Sequence, residues 1–219
     1  MTLSILTIDP KTGIMAAAAA TGSLCVGGWV LRGDIESGLV ASQGTAPSTF
    51  WRDDVLRGMF DGQSAADAVA AVTEADAGRG FRQLAALDRS GQTAAHTGAD
   101  SIAYAGHIAE QNMVVAGNML SGAEVLKAMA TAANANHADP AQRMLAVLKA
   151  GNTAGGDNRG LRSAALLVLK PDEPPLDIRI DAADDPLTDL EQLWAKTQAS
   201  PYHDWLTEVP VLIDKTRAP

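Results

Sequence analysis

Thr2 follows Met1 directly. Aminopeptidase removal of Met1 is expected when residue two is small, and threonine qualifies. Cleavage would leave a hydroxyl and a free α-amine on one residue. An α-amine ordinarily titrates at about 7.7–8.0, so part of it is an unprotonated base at neutral pH. Nucleophile and base then share one residue, with no need for histidine or aspartate. Thr2 equally suits the first position of a β-strand, where β-branched side chains are favoured.

A second group lies in Asn152-Thr153-Ala154-Gly155-Gly156-Asp157-Asn158-Arg159-Gly160-Leu161-Arg162-Ser163, a glycine-rich loop feeding an apolar strand. Asp157 and Arg159 suit a structural ion pair. They also suit a site in which Arg159 clamps a substrate carboxylate and Asp157 orients Arg159 or the α-amine. Ser163, at the strand start, is placed to pass protons or hold a water. Asn118 follows Gly117 after a short strand. It suits a left-handed turn or, with its amide, an oxyanion donor. His96 and Thr97 end a hairpin strand and are candidates for substrate contact, although a histidine there also suits a structural hydrogen bond.

Other chemistries lack their residues. The four histidines are scattered without ligand spacing, and the single cysteine, Cys25, forms neither an internal disulfide nor a cysteine metal cluster. Cys25 sits in an apolar segment with no cationic neighbour and reads as a small buried hydrophobe. There is no phosphate-binding P-loop, dinucleotide fingerprint, zinc-protease helix or serine nucleophile elbow. No metal and no cofactor is expected. A net charge of −9 with no basic cluster larger than pairs such as Arg159 and Arg162 argues against nucleic acid as a partner and disfavours an anionic membrane surface. The start of the chain lacks a basic signal-peptide region and no apolar run is long enough to span a bilayer, so a cytoplasmic location is expected.

The elements that must position these residues follow from pattern. The chain has 219 residues, 47% of them hydrophobic but only 4% aromatic, which indicates one domain with an interior of small side chains at close approach. Residues 3–8 and 14–21 read as a hairpin around the Asp9-Pro10-Lys11-Thr12-Gly13 turn. The five alanines 16–20 favour helix alone but strand in this context. Residues 39–43 read as a third strand, 81–88 and 92–97 as a hairpin, and 113–116 as a short strand. Residues 163–169 and 176–180 form the last hairpin. Residues 48–60, 64–72, 123–133 and 140–150 read as helices, the last closed by Gly151. A final helix starts at Pro186 and a tail follows from residue 201. Strands in antiparallel pairs and helices in pairs exclude regular βαβ alternation. The order suits an α+β fold of two stacked antiparallel sheets with helices outside. The expected division is a sandwich over 1–183 and a C-terminal helix and tail over 184–219.

Several segments in order resemble a bacterial family of unknown function assigned to the N-terminal nucleophile (Ntn) hydrolase superfamily. They are Thr2-Leu3-Ser4-Ile5, Asp9-Pro10 with Thr12-Gly13, Arg82-Gln83, Thr97-Gly98, Gly117-Asn118, and Gly155-Gly156-Asp157 with Arg159-Gly160 and Ser163-Ala164-Ala165-Leu166. The resemblance runs from Thr2 to about Ile180. It implies a four-layer α-β-β-α sandwich and an amidohydrolase mechanism with residue two as nucleophile. The chain departs from the family in having Arg162 where a glutamine usually precedes the serine. It has no lysine in 39–43, where proteasome-like members keep one, so the α-amine would act alone as base. The residues after 186 are too few for the peptidoglycan-binding extension some members carry.

The expected activity is hydrolysis of an amide in a small or peptide-like, carboxylate-bearing substrate. Thr2, Asn118, Asp157 and Ser163 would be catalytic, and Arg159, His96 and Thr97 substrate-binding. The alternative is a catalytically silent protein that binds a metabolite in the same cleft. Apolar residues 29–31 together with Tyr202 and Trp205 suggest a homodimer.

Overall fold

Period-two alternation along each strand decides how this chain stacks. The computed structural model describes residues 2–157 and 159–219. In chain order the elements are β1 (Thr2–Ile8), β2 (Met15–Thr21), α1 (Val26–Trp29), β3 (Leu31–Asp34), β4 (Gly38–Gly44), α2 (Thr49–Phe60), α3 (Ala65–Glu74), β5 (Arg82–Asp88) and β6 (Thr93–Thr97). They continue with β7 (Gly106–Glu110), β8 (Met113–Asn118), α4 (Ala123–Ala133), α5 (Pro140–Thr153), β9 (Ser163–Leu169), β10 (Leu176–Ile180), α6 (Pro186–Thr197) and α7 (Tyr202–Trp205). A six-stranded sheet runs β10-β9-β2-β1-β8-β7 and a four-stranded sheet runs β3-β4-β5-β6. Every strand pairing is antiparallel.

The fold is therefore the expected α+β sandwich of two stacked antiparallel sheets with helices on both sides. Leu3, Ile5, Ala18 and Leu166 turn outward onto α4 and α5, where Leu126, Met129, Met144 and Leu148 meet them. Val40, Leu84 and Ala86 turn outward from the smaller sheet onto Trp51, Val55 and Ala68 of α2 and α3. Between the sheets lie Leu6, Ile8, Ala17, Ala19, Leu39, Ala41, Ala85 and Leu87. The alanine run stays extended because its residues pair on both sides, with β1 and with β9. Sheet pairing and complete burial outweigh alanine's helix preference. Side-chain caps from Ser48, Ser64, Asp139 and Asp185 set four helix starts, each worth about 1 kcal/mol.

Four local readings change. β3 and β7 were not expected. Both are edge strands carrying polar and exposed residues such as Arg32 and His107, and edge strands lack the two-sided burial that makes a strand legible. Gly151 does not end α5, which runs on to Thr153. A Cβ on Gly151 would lie 2.8 Å from Met129 Cγ, so this glycine serves the close approach of α4 and α5. Cys25 is exposed, because the chain leaves the sheet after Thr21 and turns into α1. Within residues 29–31, Val30 and Leu31 are buried in their own chain and only Trp29 is exposed. No helix among the described residues is long and apolar enough to cross a membrane.

Small side chains set the spacing between the sheets near Thr2. Ala19, Ala116 and Ala165 share one cross-strand row with Ser4, and Ala41, Ala85 and Ala95 share a row of the facing sheet. Ala19→Leu should overpack this layer and lower stability by about 1–3 kcal/mol. Urea unfolding checks this as a lower midpoint with an unchanged slope.

Candidate functional site

Directly opposed residues of an antiparallel sheet point to the same face. In the six-stranded sheet Ser163 pairs with Thr21, Thr21 with Thr2, and Thr2 with Asn118. One row of four polar side chains thus crosses the sheet at one end, on the face turned toward the other sheet. In the four-stranded sheet Gln43 pairs with Gln83 and Gln83 with Thr97. The two polar rows meet where the sandwich opens. A cleft of about 530 Å³ lies there, with Thr2, Gln43, Asn118, Arg159 and Trp29 among its walls.

Gln83 ties the rows together. It is fully buried, and its Nε2 lies 2.9 Å from the Gly106 carbonyl, the Gly117 carbonyl and Thr97 Oγ1. Its Oε1 accepts from Gln43 Nε2 at 2.7 Å and from Asn118 Nδ2 at 3.1 Å. Gln43 Nε2 also reaches the Thr2 carbonyl at 3.5 Å. Thr2 Oγ1 donates to Thr21 Oγ1 at 3.3 Å. Thr97 Oγ1 lies 2.9 Å from His107 Nδ1. Desolvation of its ring by the surrounding protein, and then nearby His96, hold His107 below the usual histidine range.

Arg159 supplies one wall. Asp157 Oδ2 accepts from the Gly22 N–H at 2.7 Å, and a Cβ on Gly22 would stand 2.2 Å from that oxygen. Only glycine at residue 22 admits this carboxylate. Arg159 donates through its main-chain N–H, its Nε and its Nη2 to the same carboxylate at 2.8, 3.1 and 3.1 Å. Burial works against the charge on Asp157, but the Arg159 hydrogen bonds outweigh it and hold the carboxyl below its usual range.

Val26 and Trp29 of α1 also line the cleft. Ser163 Oγ donates to the Ser23 carbonyl at 2.8 Å and accepts from the Val26 N–H at 3.1 Å. From α2, buried Arg52 donates through Nη1 to the carbonyls of Gly28 and Trp29, 3.0 Å each. Arg52 thereby fixes the turn that presents Trp29 to the cleft, a role that no sequence motif announced. Ile102 reaches the rim because its carbonyl accepts from the Met119 N–H at 2.9 Å.

The structure therefore gathers Thr2, Asn118 and Arg159 around one cleft and gives the other expected site residues different places. Asp157 stands behind Arg159. Ser163 is fully buried, and both hydrogen bonds of its hydroxyl go to the 23–26 turn, so it positions that turn. Thr97 belongs to the buried amide network. His96 is turned to the other face of its strand, edge-on to Trp51 with centroids 5.7 Å apart, and its Nε2 lies 3.0 Å from the Arg79 carbonyl. Alternation separates neighbours 96 and 97, so both could not line one cleft. The expected removal of Met1 concerns a residue outside the described ones. Gln43 and Thr21 were not among the expected candidates, and Gln83 entered only through the Arg82-Gln83 segment of the family resemblance, without a role. The signal available was the alternation, which carries both glutamines onto the inner face. Among the described residues no group of three or more histidines, cysteines or carboxylates is placed to hold a metal ion.

The family of unknown function DUF1028 matches residues 2–190, and the chain belongs to that family. The crystal structure of protein SPO2555 from Silicibacter pomeroyi, described with the DUF1028 family model, is 50% identical. It aligns over 99% of this chain and 98% of its own, with a TM-score of 0.94. Anbu (ancestral beta-subunit) from Yersinia bercovieri aligns over 93% of this chain and 97% of its own at 12% identity, with a TM-score of only 0.36, too low to carry an argument. None of the curated proteins matches the chain.

The Asp157–Arg159 pair has a pH signature. The folded protein holds Asp157 below its usual value of 3.8, so the unfolded chain binds this proton more readily and stability rises with pH across the interval. The contribution is complete above the usual carboxylate value and is lost as pH falls through the lowered one. Asp157→Asn should lower Tm at neutral pH, and the gap to the unmodified protein should close as pH is brought below about 4. Calorimetry across that range checks it; a constant gap would remove the charge from the explanation.

Proposed function

We propose that this DUF1028 family member is an Ntn-type amidohydrolase whose nucleophile is Thr2, made N-terminal by removal of Met1. The observation that carries the reading is the position of Thr2. It stands at the end of the central strand of the larger sheet, its hydroxyl in a polar row that opens onto a cleft. Asn118 pairs with it on the next strand. A nucleophile flanked by hydrogen-bonded strands on both sides is held rigidly, which acyl transfer requires.

In this mechanism Thr2 Oγ1 attacks the amide carbonyl carbon while its proton passes to the α-amine. The carbonyl electron pair moves to oxygen, which Asn118 Nδ2 stabilises with the hydrogen not given to Gln83. Collapse breaks the C–N bond, and the α-amine returns the proton to the leaving nitrogen. Water then attacks the Thr2 ester, the same amine relays its proton to Oγ1, and a carboxylic acid leaves. Arg159 commits Nε and Nη2 to Asp157, so a substrate carboxylate would use its remaining edge. Because Asp157 offsets the charge, the clamp would act by direction more than by net charge.

Intact-mass measurement of untagged protein should show loss of Met1, and activity should depend on it. Thr2→Ala should abolish amide hydrolysis with the fold unchanged by circular dichroism, and Thr2→Ser should retain part of it. Loss of Asn118's side chain should lower kcat by about 10²–10³. Retained Met1 with full binding of small amides would instead establish the catalytically silent binding protein.

A further inference from the structure

The orientation of three buried side-chain amides specifies what the cleft takes. Main-chain carbonyls only accept, so the carbonyls of Gly106 and Gly117 fix which end of Gln83 is nitrogen. Its oxygen must then face Gln43 and Asn118, and both must offer it their NH2 groups, as observed. This forces the oxygen of Gln43 away from the network. Gln43 is 1% exposed, and its Oε1 has no hydrogen-bond partner among the described residues, although the residue lines the cleft beside Thr2. A buried amide oxygen left unpaired is costly, and a ligand donor would relieve that cost. Asn118, bonded to the same Gln83 oxygen, keeps a second N–H.

We infer that the cleft recognises a primary or secondary amide, with Gln43 Oε1 accepting the ligand N–H and Asn118 Nδ2 donating to the ligand carbonyl. This deepens the amidohydrolase reading by naming the substrate class, and its binding part stands apart from the chemistry at Thr2. Esters and N,N-dialkylated amides lack the hydrogen that Gln43 requires. Leu24, Trp29 and Ile102, all about half exposed or more at the rim, supply an apolar surface for the substituent the amide carries. The favoured ligand is thus an N–H amide bearing an apolar or aromatic group.

The test is binding of four related probes to the Thr2→Ala chain, which cannot consume them: phenylacetamide, N-methylphenylacetamide, N,N-dimethylphenylacetamide and methyl phenylacetate. Saturation-transfer NMR or calorimetry reads the affinities. The two N–H amides should bind at least about tenfold more tightly than the dimethyl amide and the ester. Gln43→Met keeps length but removes the acceptor, and it should bring the N–H amides down to the level of the other two. Equal binding of all four probes, no binding at millimolar concentration, or discrimination that survives Gln43→Met would each overturn the inference. Turnover of phenylacetamide by the unmodified chain is a separate readout. Selective binding without turnover would leave the inference standing and defeat the Thr2 mechanism.

Discussion

The buried amide of Gln83 is the interaction on which the open end of the sandwich depends. Over most of their shared interior the two sheets are joined by apolar packing, which is non-directional and tolerates sliding, and only single side-chain hydrogen bonds such as Thr93 to the Glu110 carbonyl and Thr97 to His107 cross beside it. Gln83 reaches from the smaller sheet to the Gly106 and Gly117 carbonyls of β7 and β8 and to Asn118. These bonds have direction and fix the register between the layers. Removing that side chain would strand several buried polar groups at once, so its weight exceeds that of any single hydrogen bond. The same amide dictates the orientation of Gln43 and Asn118. The bond that holds the sheets in register therefore also sets the polarity of the cleft wall.

The strand sequences grade the interior from polar to small to large. Along β1 the inward residues are Thr2, Ser4, Leu6 and Ile8, and along β2 they are Thr21, Ala19, Ala17 and Met15. Facing them, β4 presents Gln43, Ala41 and Leu39, and β5 presents Gln83, Ala85 and Leu87. The far end fills with large aliphatic side chains. The near end holds groups that want hydrogen bonds, above a layer too small to close the gap. A cleft at that end follows from the alternation itself, without a lid or an inserted domain.

The sequence carried much of this plan and lost specific parts for physical reasons. Thr2, Asn118 and Arg159 were legible as candidates, and the fold brings all three to one cleft; the hairpin pairing of strands was enough for two stacked antiparallel sheets. The edge strands β3 and β7 were not legible, because one-sided burial leaves them polar. His96 was grouped with Thr97 by proximity in sequence, whereas a strand sends adjacent residues to opposite faces. Ser163 looked like a proton carrier because its partners, the Ser23 carbonyl and the Val26 N–H, lie 137 to 140 residues away in sequence. Gln43 went unnoticed, and Gln83 stood in the Arg82-Gln83 segment without a role, because a neutral glutamine shows its part only when it is known to be buried and which way it points.

The loop carrying Arg159 obeys a related constraint. A buried carboxylate needs a partner of opposite charge and donors for its remaining lone pairs. Asp157 obtains both from Arg159 and from the Gly22 N–H. Gly22 immediately follows Thr21, which pairs with Thr2 and accepts from its hydroxyl within the same polar row. The glycine-rich segment, the end of β2 and the start of β1 are thereby locked through one carboxylate. Arg159 is placed by the group that neutralises it, so it reaches the cleft as an oriented hydrogen-bond donor with little free charge. That favours recognition of a ligand by the direction of its N–H and C=O groups over attraction to its charge, consistent with a wall built chiefly of amides, hydroxyls and apolar side chains.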